Sequence, residues 1–553
     1  MKRITTILGI FLSALIITSC VDDLDVKPKD PNSILAGNLS DDPAYMQQVL
    51  GKIYASFIIA GQGNVTGGGA DISASDNDFF TTTRALWNLQ EITTDEAICA
   101  WGDVGIADLN TQTWNPQNPF LTALYQRLVL SVTYANDFIR FAQSNPDEDV
   151  QQYVAEARFL RALAYYYLMD LFGNPPFTTE ADGVGKFYPR QLDPDINLAR
   201  PMLFDYIVSE LKEIAPVLAE PGGTASTQAN RAAAWMLLAR TYLNGEVFTG
   251  TPYWEEAKIY ADSVINHSPY RLAQNYRQNF SADNNYPANP EMILAWEQDG
   301  IFTQGSVGTT FIIMSSSDAE YIPAETFHGL TSNTNWNGNR ARKEFVQMAL
   351  GDTIAIYGNN PIPWYTDRMF EQSSDTRILM KVKRDVNIPS ASSNGDYGIG
   401  VYKFTGVNTD GSQAANYSPA YACTDFPVFR LADAYLMRAE AKFHLDDATA
   451  LNDINYVRDR AFQSGDFGSE PANHLTNLTA EEILNERGRE FYYEAHRRTD
   501  LVRFGQFTDG TYNWTWKGGV QEGISTPSYR NVFPLPATEV ATNPFIEQNP
   551  SYN

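Results

Sequence analysis

Cysteine, histidine and positive charge are all scarce in this chain of 553 residues. It contains three cysteines and five histidines, and 66 acidic residues outnumber 40 basic ones, for a formal net charge of −26. So few cysteines cannot form a disulfide framework, and no two histidines lie at metal-ligand spacing on one predicted helix. A chain this acidic repels phosphate backbones, which argues against nucleic-acid binding.

Motifs for a bound nucleotide, metal or cofactor are missing as well. The sequence has no glycine loop that would hold phosphate and no nucleophile elbow. The acidic stretch DNDFF lacks the glycine and the terminal glutamate of a calcium loop. We therefore expect no cofactor and no metal. Glycoside hydrolysis needs only two carboxylates about 5 to 9 Å apart, so an enzyme stays open as an alternative that no motif supports.

The apolar run at the N-terminus is short. It covers residues 7–17 after two basic residues, whereas a span of the bilayer takes roughly 20 residues. A charged start before a short apolar core predicts a secretory leader over residues 1–19. The end of the run, ITSC at 17–20, resembles the lipobox of bacterial lipoproteins, which implies a diacylglycerol on Cys20. An ordinary leader with an incidental cysteine is the alternative.

The remaining composition is that of a globular protein with a large core, because 43% of the residues are hydrophobic. Aromatic residues make up 13% of the chain, and sugar-binding proteins also place aromatics on their surfaces. Cys99 and Cys423 are predicted to be two buried free thiols, with a single bridge between them as the alternative.

A tether and a helical body follow the leader. Residues 20–42 are polar, acidic and interrupted by two prolines, which predicts a flexible tether. Apolar residues at helical spacing then predict a helix from Val150 to Leu171 that stops at Gly173. Its other face is also apolar, so we expect this helix to be packed on most sides.

Two helical hairpins are predicted further along. One pairs helices over 228–243 and 253–266, and the other pairs helices over 431–444 and 448–460. Small alanines alternate with large aromatic residues in the first pair, which allows the helices to approach closely. Each pair has about the length of a tetratricopeptide unit, near 34 residues, although the strict repeat signature is absent.

The sequence between the hairpins is of a different kind. Residues 279–421 are rich in glycine, asparagine, serine, proline and aromatics, and loops this long inside a compact protein are usually functional. We therefore divide the chain into a helical region 43–278 and a region 279–553 that contains this loop-rich insert. A functional site is expected in the insert together with the segment 61–119.

Five segments, in order, resemble one family. They are AEARFLRALAYYYLMDLFGNPP, FRLADAYLMRAEA, NDINYVRDRA, ILNERGREFYYEAHRRTDLVRFGQF and the ending VFPLPATEVATNPFIEQNPSY. Together with the lipobox they are similar to the SusD/RagB family of outer-membrane nutrient-binding lipoproteins of Bacteroidota. Ser551 departs from the glycine that the family usually has in its closing motif, which affects only a terminal turn.

The resemblance implies a fold, a location and a function. The expected fold is all-α dominated, a tetratricopeptide-like scaffold of helical hairpins with long loop-rich insertions. Members act as a lid on a SusC-like TonB-dependent transporter, for which they capture oligosaccharides or, in some cases, peptides. The acids at 22–25, directly after Cys20, resemble the signal that sends lipoproteins to the extracellular face of the outer membrane.

Two tryptophans are the main candidates for the ligand site. Sugars present C–H faces that stack on aromatic rings and hydroxyls that need polar partners. Trp101 lies in a glycine-flanked loop beside Asp103, and Trp336 lies between Asn335 and Asn337. For Trp101 the alternative is a packed loop anchor. For the second stretch it is a turn whose asparagine side chains cap their own backbone.

Weaker candidates lie on neighbouring segments. Tyr321 and Phe302 are aromatic residues on nearby loops, and Asp76 and Arg84 could supply hydrogen bonds, although an aspartate–arginine pair near a helix start is equally well structural. Trp114 precedes an Asn-Pro pair in a phrase that recurs across the family, so we place it in the core.

The densest charged stretch, residues 485–504, is expected to form buried ion pairs and not a catalytic site. Glu490, Glu494 and Arg498 stand four residues apart, which predicts a charge stripe on one helix face. A pure interaction scaffold is the remaining alternative, since tetratricopeptide hairpins commonly bind peptides in a basic or apolar groove. The tryptophan and asparagine loops favour a glycan.

Overall fold

The structure is a computed structural model, and it describes residues 43–61, 71–72, 81–183, 185, 187–303, 305–332, 335–350, 373–462, 473–510 and 512–552. The leader, Cys20, the tether 20–42 and Asp76 lie outside the described residues, so the predictions made for them stay predictions.

Helices dominate the described chain. In order they are α1 Pro43–Ile58, α2 Thr82–Trp87, α3 Ile106–Thr111, α4 Pro119–Ala142, α5 Glu148–Phe172, α6 Ile196–Ile214, α7 Arg231–Leu243, α8 Gly245–Thr249, α9 Trp254–Asn266, α10 Gly308–Ser316, α11 Ala324–His328, α12 Lys343–Leu350, α13 Leu431–His444, α14 Ala450–Ala461, α15 Ala480–Phe491, α16 Arg497–Arg503 and α17 Ala537–Thr542. A π-helical turn, Asn88–Ile92, continues α2, and 3-10 turns cover Tyr276–Phe280, Lys517–Gly519 and Ser528–Asn531.

The strands are short and form three small sheets. They are β1 Ala97–Cys99, β2 Pro176–Phe177, β3 Arg190–Gln191, β4 Met292–Trp296, β5 Asn339–Ala341, β6 Met380–Val382, β7 Ile399–Val401 and β8 Phe426–Arg430. The order within the largest sheet is β1-β5-β7-β6, while β2 pairs with β3 and β4 pairs with β8.

Helix α5 forms where the apolar spacing predicts it. The Asp147 side chain accepts hydrogen bonds from the first amides of the helix, and Gly173, with φ +71°, ends it. Nineteen of its 25 residues are buried, so the prediction of a helix packed on most sides is confirmed. This helix lies at the centre of the scaffold, between α4 and α6.

The helical hairpins stack into one array, which confirms the predicted fold class. Helix α7 pairs with α9, α13 pairs with α14, and α9 packs directly against α13. Buried Ala233, Ala239 and Ala257 are where the first pair packs closely, and Tyr242 stacks on Tyr260 with ring centroids 5.8 Å apart. Elements of both predicted regions therefore share one hydrophobic core.

The charged stretch 485–504 is buried, as predicted. Glu490 binds Arg430 at 2.5 Å and Arg377 at 3.2 Å, and it also pairs with Arg460. The predicted charge stripe on one helix is wrong, however. Helix α15 ends at Phe491 and α16 begins at Arg497, because Tyr493 and Ala495 adopt positive φ and turn the chain between them. The ion pairs therefore join several elements and not one face.

Other predictions of buried residues are also confirmed. Cys99 and Cys423 are free buried thiols, and burial raises the pKa of Cys99 to about 11. Trp114 is 1% exposed, and its indole N–H donates to the Tyr552 hydroxyl at 2.9 Å. None of the helices in the described part of the chain is both long and apolar enough to cross a bilayer.

Candidate functional site

The largest sheet brings the two candidate tryptophans together. Strand β1 leads into the loop that carries Trp101, and the loop that carries Trp336 leads into β5, its antiparallel neighbour. The Trp101 indole N–H donates to the Trp336 carbonyl at 3.1 Å. The two ring centroids are 6.2 Å apart and the ring planes are tilted by 51°. Both side chains are half-buried, so they form an angled aromatic surface, which we call the tryptophan platform.

The Trp336 loop is held by the end of α10. The amides of Trp336, Asn337 and Gly338 donate to the carbonyls of Met314, Ser317 and Ser315, respectively. These bonds satisfy carbonyls that the end of a helix leaves without partners. Asn335 and Asn337 have φ values of +67° and +51°, which asparagine tolerates better than most residues.

The asparagine side chains of this loop hydrogen-bond to neighbouring segments of the protein. Asn337 Nδ2 donates to Asp396 at 2.9 Å, and its Oδ1 accepts from Lys383 at 2.6 Å. Asn335 Oδ1 accepts from the Ala324 amide at 3.1 Å. Their predicted contact with ligand therefore stays a prediction, and Asn337 already uses both ends of its amide. Lys383 also pairs with Asp318 at 2.9 Å.

Arg84 lies against the platform and not at the surface. It is 6% exposed, and its guanidinium carbon lies 5.8 Å from the centre of the Trp101 ring and 4.6 Å from that of Phe311. Phe311 in turn meets Trp101 edge-on at 6.1 Å. A cation against an indole face is favourable, so Arg84 and Phe311 support the platform from below.

Polar groups near the platform come from the Trp101 loop itself and from two further loops. Asp103 is exposed two residues after Trp101, with α3 beginning three residues later. Arg384, on the loop between β6 and β7, is half-exposed, and its guanidinium lies 3.4 Å from Asp396 and 5.7 Å from the centre of the Tyr397 ring. Tyr321, on the loop between α10 and α11, is a second tyrosine near this guanidinium. Sequence reasoning missed Arg384 and Tyr397, because nothing local marks the 383–398 loop between β6 and β7 as a neighbour of Trp336.

Phe302 is not brought to the platform. It is 82% exposed, and it precedes the N-terminal end of α10, whereas Trp336 contacts the other end of that helix. Nine helical residues, about 13 Å, separate the two ends. Its predicted role in the ligand site therefore stays a prediction.

A separate cavity of about 340 Å³ lies between α4, α5 and residues 176–189. Its lining is mostly apolar, and the polar Asn136 and Arg140 that reach it hydrogen-bond to Arg161, Thr178 and Glu180. None of the predicted site residues lines it. Among the described residues, no three histidine, cysteine, aspartate or glutamate side chains are grouped as they would be around a metal ion.

The platform depends on a glycine, which gives a test of its geometry. A Cβ atom at Gly338 would lie 2.4 Å from a Trp101 ring carbon, whereas one at Gly102 would meet nothing within 4 Å. We expect Gly338→Ala to displace the Trp101 ring and to weaken ligand affinity by roughly tenfold, since overpacking costs about 1–3 kcal/mol. Gly102→Ala is the matched control and should bind like the parent. Equal affinity of the two variants, measured by calorimetry, would show that ligand binding does not depend on the position of the Trp101 ring.

The helical scaffold carries the aromatic platform on loops outside its hairpins, and comparison with known proteins shows the family to which the chain belongs. The sequence model of the SusD family matches residues 323–552, and a second model, described as "Starch-binding associating with outer membrane", matches residues 25–243. The chain belongs to the SusD family, as the resemblance implied.

Individual relatives extend over nearly the whole chain. The starch-binding protein SusD of Bacteroides thetaiotaomicron is 33% identical, and the alignment covers 97% of this chain and 96% of that protein. A SusD-like protein of Bacteroides fragilis has the same fold, with a TM-score of 0.68, 17% identity, and coverage of 95% and 100%. Surface glycan-binding protein A of B. thetaiotaomicron, solved with laminarihexaose, gives a TM-score of 0.62, 16% identity, and coverage of 92% and 99%.

Proposed function

We propose that this protein binds an oligosaccharide on the tryptophan platform, and that its ligand is a starch-type α-glucan. The observation that carries the proposal is the contact between Trp101 and Trp336, two half-buried indoles that come from loops 235 residues apart. The choice of glucan rests on the 33% identity to a starch-binding protein over nearly the full length of both chains.

The geometry supports a curved, neutral glycan. Two rings tilted by 51° present a bent surface, which fits a chain that curves from one sugar to the next better than a flat ribbon. Each sugar ring stacks its C–H face on one indole. Asp103 accepts hydrogen bonds from hydroxyls, and Arg384 donates them at the other rim. A net charge of −26 disfavours polyanionic ligands.

Titration calorimetry on protein that starts at Val21 tests the binding function. The panel contains maltooligosaccharides, laminarin oligosaccharides, cellooligosaccharides and a mixed peptide pool, and reducing ends are assayed in the same cells. We expect binding of maltooligosaccharides without release of reducing ends. Binding of another glycan alone would correct the ligand, binding of peptides alone would replace it, and cleavage would show a glycoside hydrolase. No binding at all would overturn the proposal.

We further propose that the protein is anchored through a lipid on Cys20 at the extracellular face of the outer membrane. The leader 1–19, the lipobox and the acids at 22–25 support this, as does the description of the family model that matches residues 25–243. From there it delivers bound glycan to a SusC-like TonB-dependent transporter, with residues 20–42 as the tether.

Replacing Cys20 tests the anchor. We expect Cys20→Ala to abolish incorporation of labelled palmitate and to move the protein from the membrane fraction to the soluble fraction, because the thiol that carries the acyl chains is lost. Cys423→Ala, which removes a buried free thiol, is the control and should remain lipidated and membrane-bound. Retention of Cys20→Ala in the membrane fraction would contradict the lipid anchor. The transporter is tested by co-purification of a barrel with the tagged, lipidated parent.

A further inference from the structure

Two buried arginines lie close to the platform, Arg340 within strand β5 and Arg342 directly after it. Arg340 and Arg342 both have side chains that are completely buried, and within the described residues neither forms an ion pair with a carboxylate. Burial lowers the pKa of Arg340 to about 10 and that of Arg342 to about 9. Burying a guanidinium without a counter-charge is costly, so each one needs hydrogen-bond acceptors in place of a carboxylate.

Both hydrogen bonds of the Arg340 guanidinium go to loops of the candidate site. Its Nε donates to the carbonyl of Tyr397 and its Nη1 donates to the carbonyl of Gly338, both at 3.1 Å. Gly338 lies two residues after Trp336 and also accepts from the Ala100 amide at 2.8 Å. Gly398 leaves room for the side chain, since a Cβ there would lie 2.7 Å from Arg340 Cγ.

Arg342 makes the same kind of contact in a different place. Its guanidinium donates to the carbonyls of Ala97 at 3.1 Å, Asn110 at 3.0 Å and Ile92 at 3.2 Å, and to that of Thr515. None of these carbonyls belongs to the loop 335–338 or the loop 383–398. The two arginines are thus equally buried and two residues apart, and only Arg340 bonds to the Trp336 loop and the 383–398 loop.

We propose that Arg340 is a positioning residue of the glycan site. Its planar fork holds the Trp336 loop and the 383–398 loop at a fixed separation, so that the tryptophans and Arg384 stand in their binding geometry before the ligand arrives. Ordering a loop on binding costs affinity, and a fork that pre-orders two loops removes that cost. The inference rests on the proposed function for its affinity arm only.

The test compares Arg340→Met with Arg342→Met. Methionine fills a similar volume without donors, so each variant loses one set of carbonyl contacts. Three quantities are measured on the ligand-free and ligand-bound protein: maltooligosaccharide affinity, melting temperature, and amide hydrogen exchange. The amides that report on the loops are those of Trp336, Asn337, Gly338, Arg384 and Gly398, which are hydrogen-bonded in the structure.

We expect Arg340→Met to weaken affinity at least about tenfold and to speed exchange at the loop amides. Arg342→Met should lower the melting temperature at least as much as Arg340→Met does. Its affinity should nevertheless stay within about twofold of the parent's. The proposal is overturned if Arg340→Met binds like the parent, if its loop amides exchange at the parent rate, or if Arg342→Met loses as much affinity.

The experiment also covers a variant that does not fold and a parent that binds no glycan. If Arg340→Met does not fold, Arg340→Lys takes its place, since it keeps the charge but its single ammonium cannot bond both carbonyls in the fork geometry. If the parent itself binds no glycan, the proposed function fails. The exchange rates of the loop amides then decide alone whether Arg340 orders the two loops.

Discussion

Replacing Trp101 and Trp336 together with alanine is expected to weaken glycan affinity more than about 100-fold. Each indole is a central aromatic anchor worth roughly 2 kcal/mol of binding free energy, and 1.4 kcal/mol is a tenfold change in affinity. The measurement is calorimetry with the glycan that the parent binds. The variant should still fold, at a stability cost of about 1–3 kcal/mol, because both rings are only half-buried and pack on the core from one side.

The control for this variant removes a half-buried tryptophan that lies away from the platform. Trp254 is also half-buried, and it stacks on His444 with ring centroids 4.0 Å apart at the start of α9. We expect Trp254→Ala to lose stability and keep full affinity. If the double variant binds as well as the parent while Trp254→Ala behaves as expected, the ligand site lies elsewhere, although family membership still stands.

The largest effect on stability is expected at Glu490. Its carboxylate accepts from Arg430, Arg460 and Arg377, and all four side chains are buried. Glu490→Gln leaves three arginines short of one counter-charge, and breaking a buried pair in this way costs about 3–5 kcal/mol of the free energy of unfolding. Denaturant unfolding of the variant measures it. Glu481→Gln, an exposed position in the same helix α15, should change stability by less than about 0.5 kcal/mol.

The same carboxylate predicts how the protein responds to acid. Burial alone would raise its pKa, but the neighbouring Arg460, Arg430 and Arg377 lower the pKa of Glu490 to about 2. An unfolded glutamate titrates near 4.3, so the ionised group stabilises the fold above that pH. The contribution is lost as the pH falls from about 4.3 to 2. Over this range the parent should lose more unfolding free energy than Glu490→Gln. Parallel curves would show that Glu490 is not ionised in the folded protein.

Local sequence patterns were enough to predict the scaffold. Helix α5 has apolar positions on every face, an aspartate before its first turn and a glycine after its last, and each signal acts within a few residues. The two hairpins likewise follow from small and large residues at helical spacing. Their direct contact, α9 against α13, joins segments about 165 residues apart, which no local pattern contains.

The tryptophan platform, too, could be predicted only in part from local sequence. Trp101 and Trp336 stood out because each lies among glycine or asparagine, yet their contact depends on the pairing of β1 with β5. Strands of three residues carry too few alternating positions to be recognised. The turn at Tyr493 and Ala495 was missed as well, since both residues adopt a positive φ that tyrosine and alanine rarely show. Arg340 was missed because a buried arginine has no sequence signature.

The way the chain ends has a consequence for when the protein can fold. Tyr552 donates its hydroxyl to the Val532 carbonyl and accepts from Trp114, 438 residues earlier, while Asp95 pairs with Arg497 and the Trp87 indole donates to the Tyr493 carbonyl. Because the N-terminal helical region makes these contacts with C-terminal residues, its core can close only after those residues have been synthesised. A chain whose core closes this late stays unfolded for longer, which would suit the export that we propose for this protein.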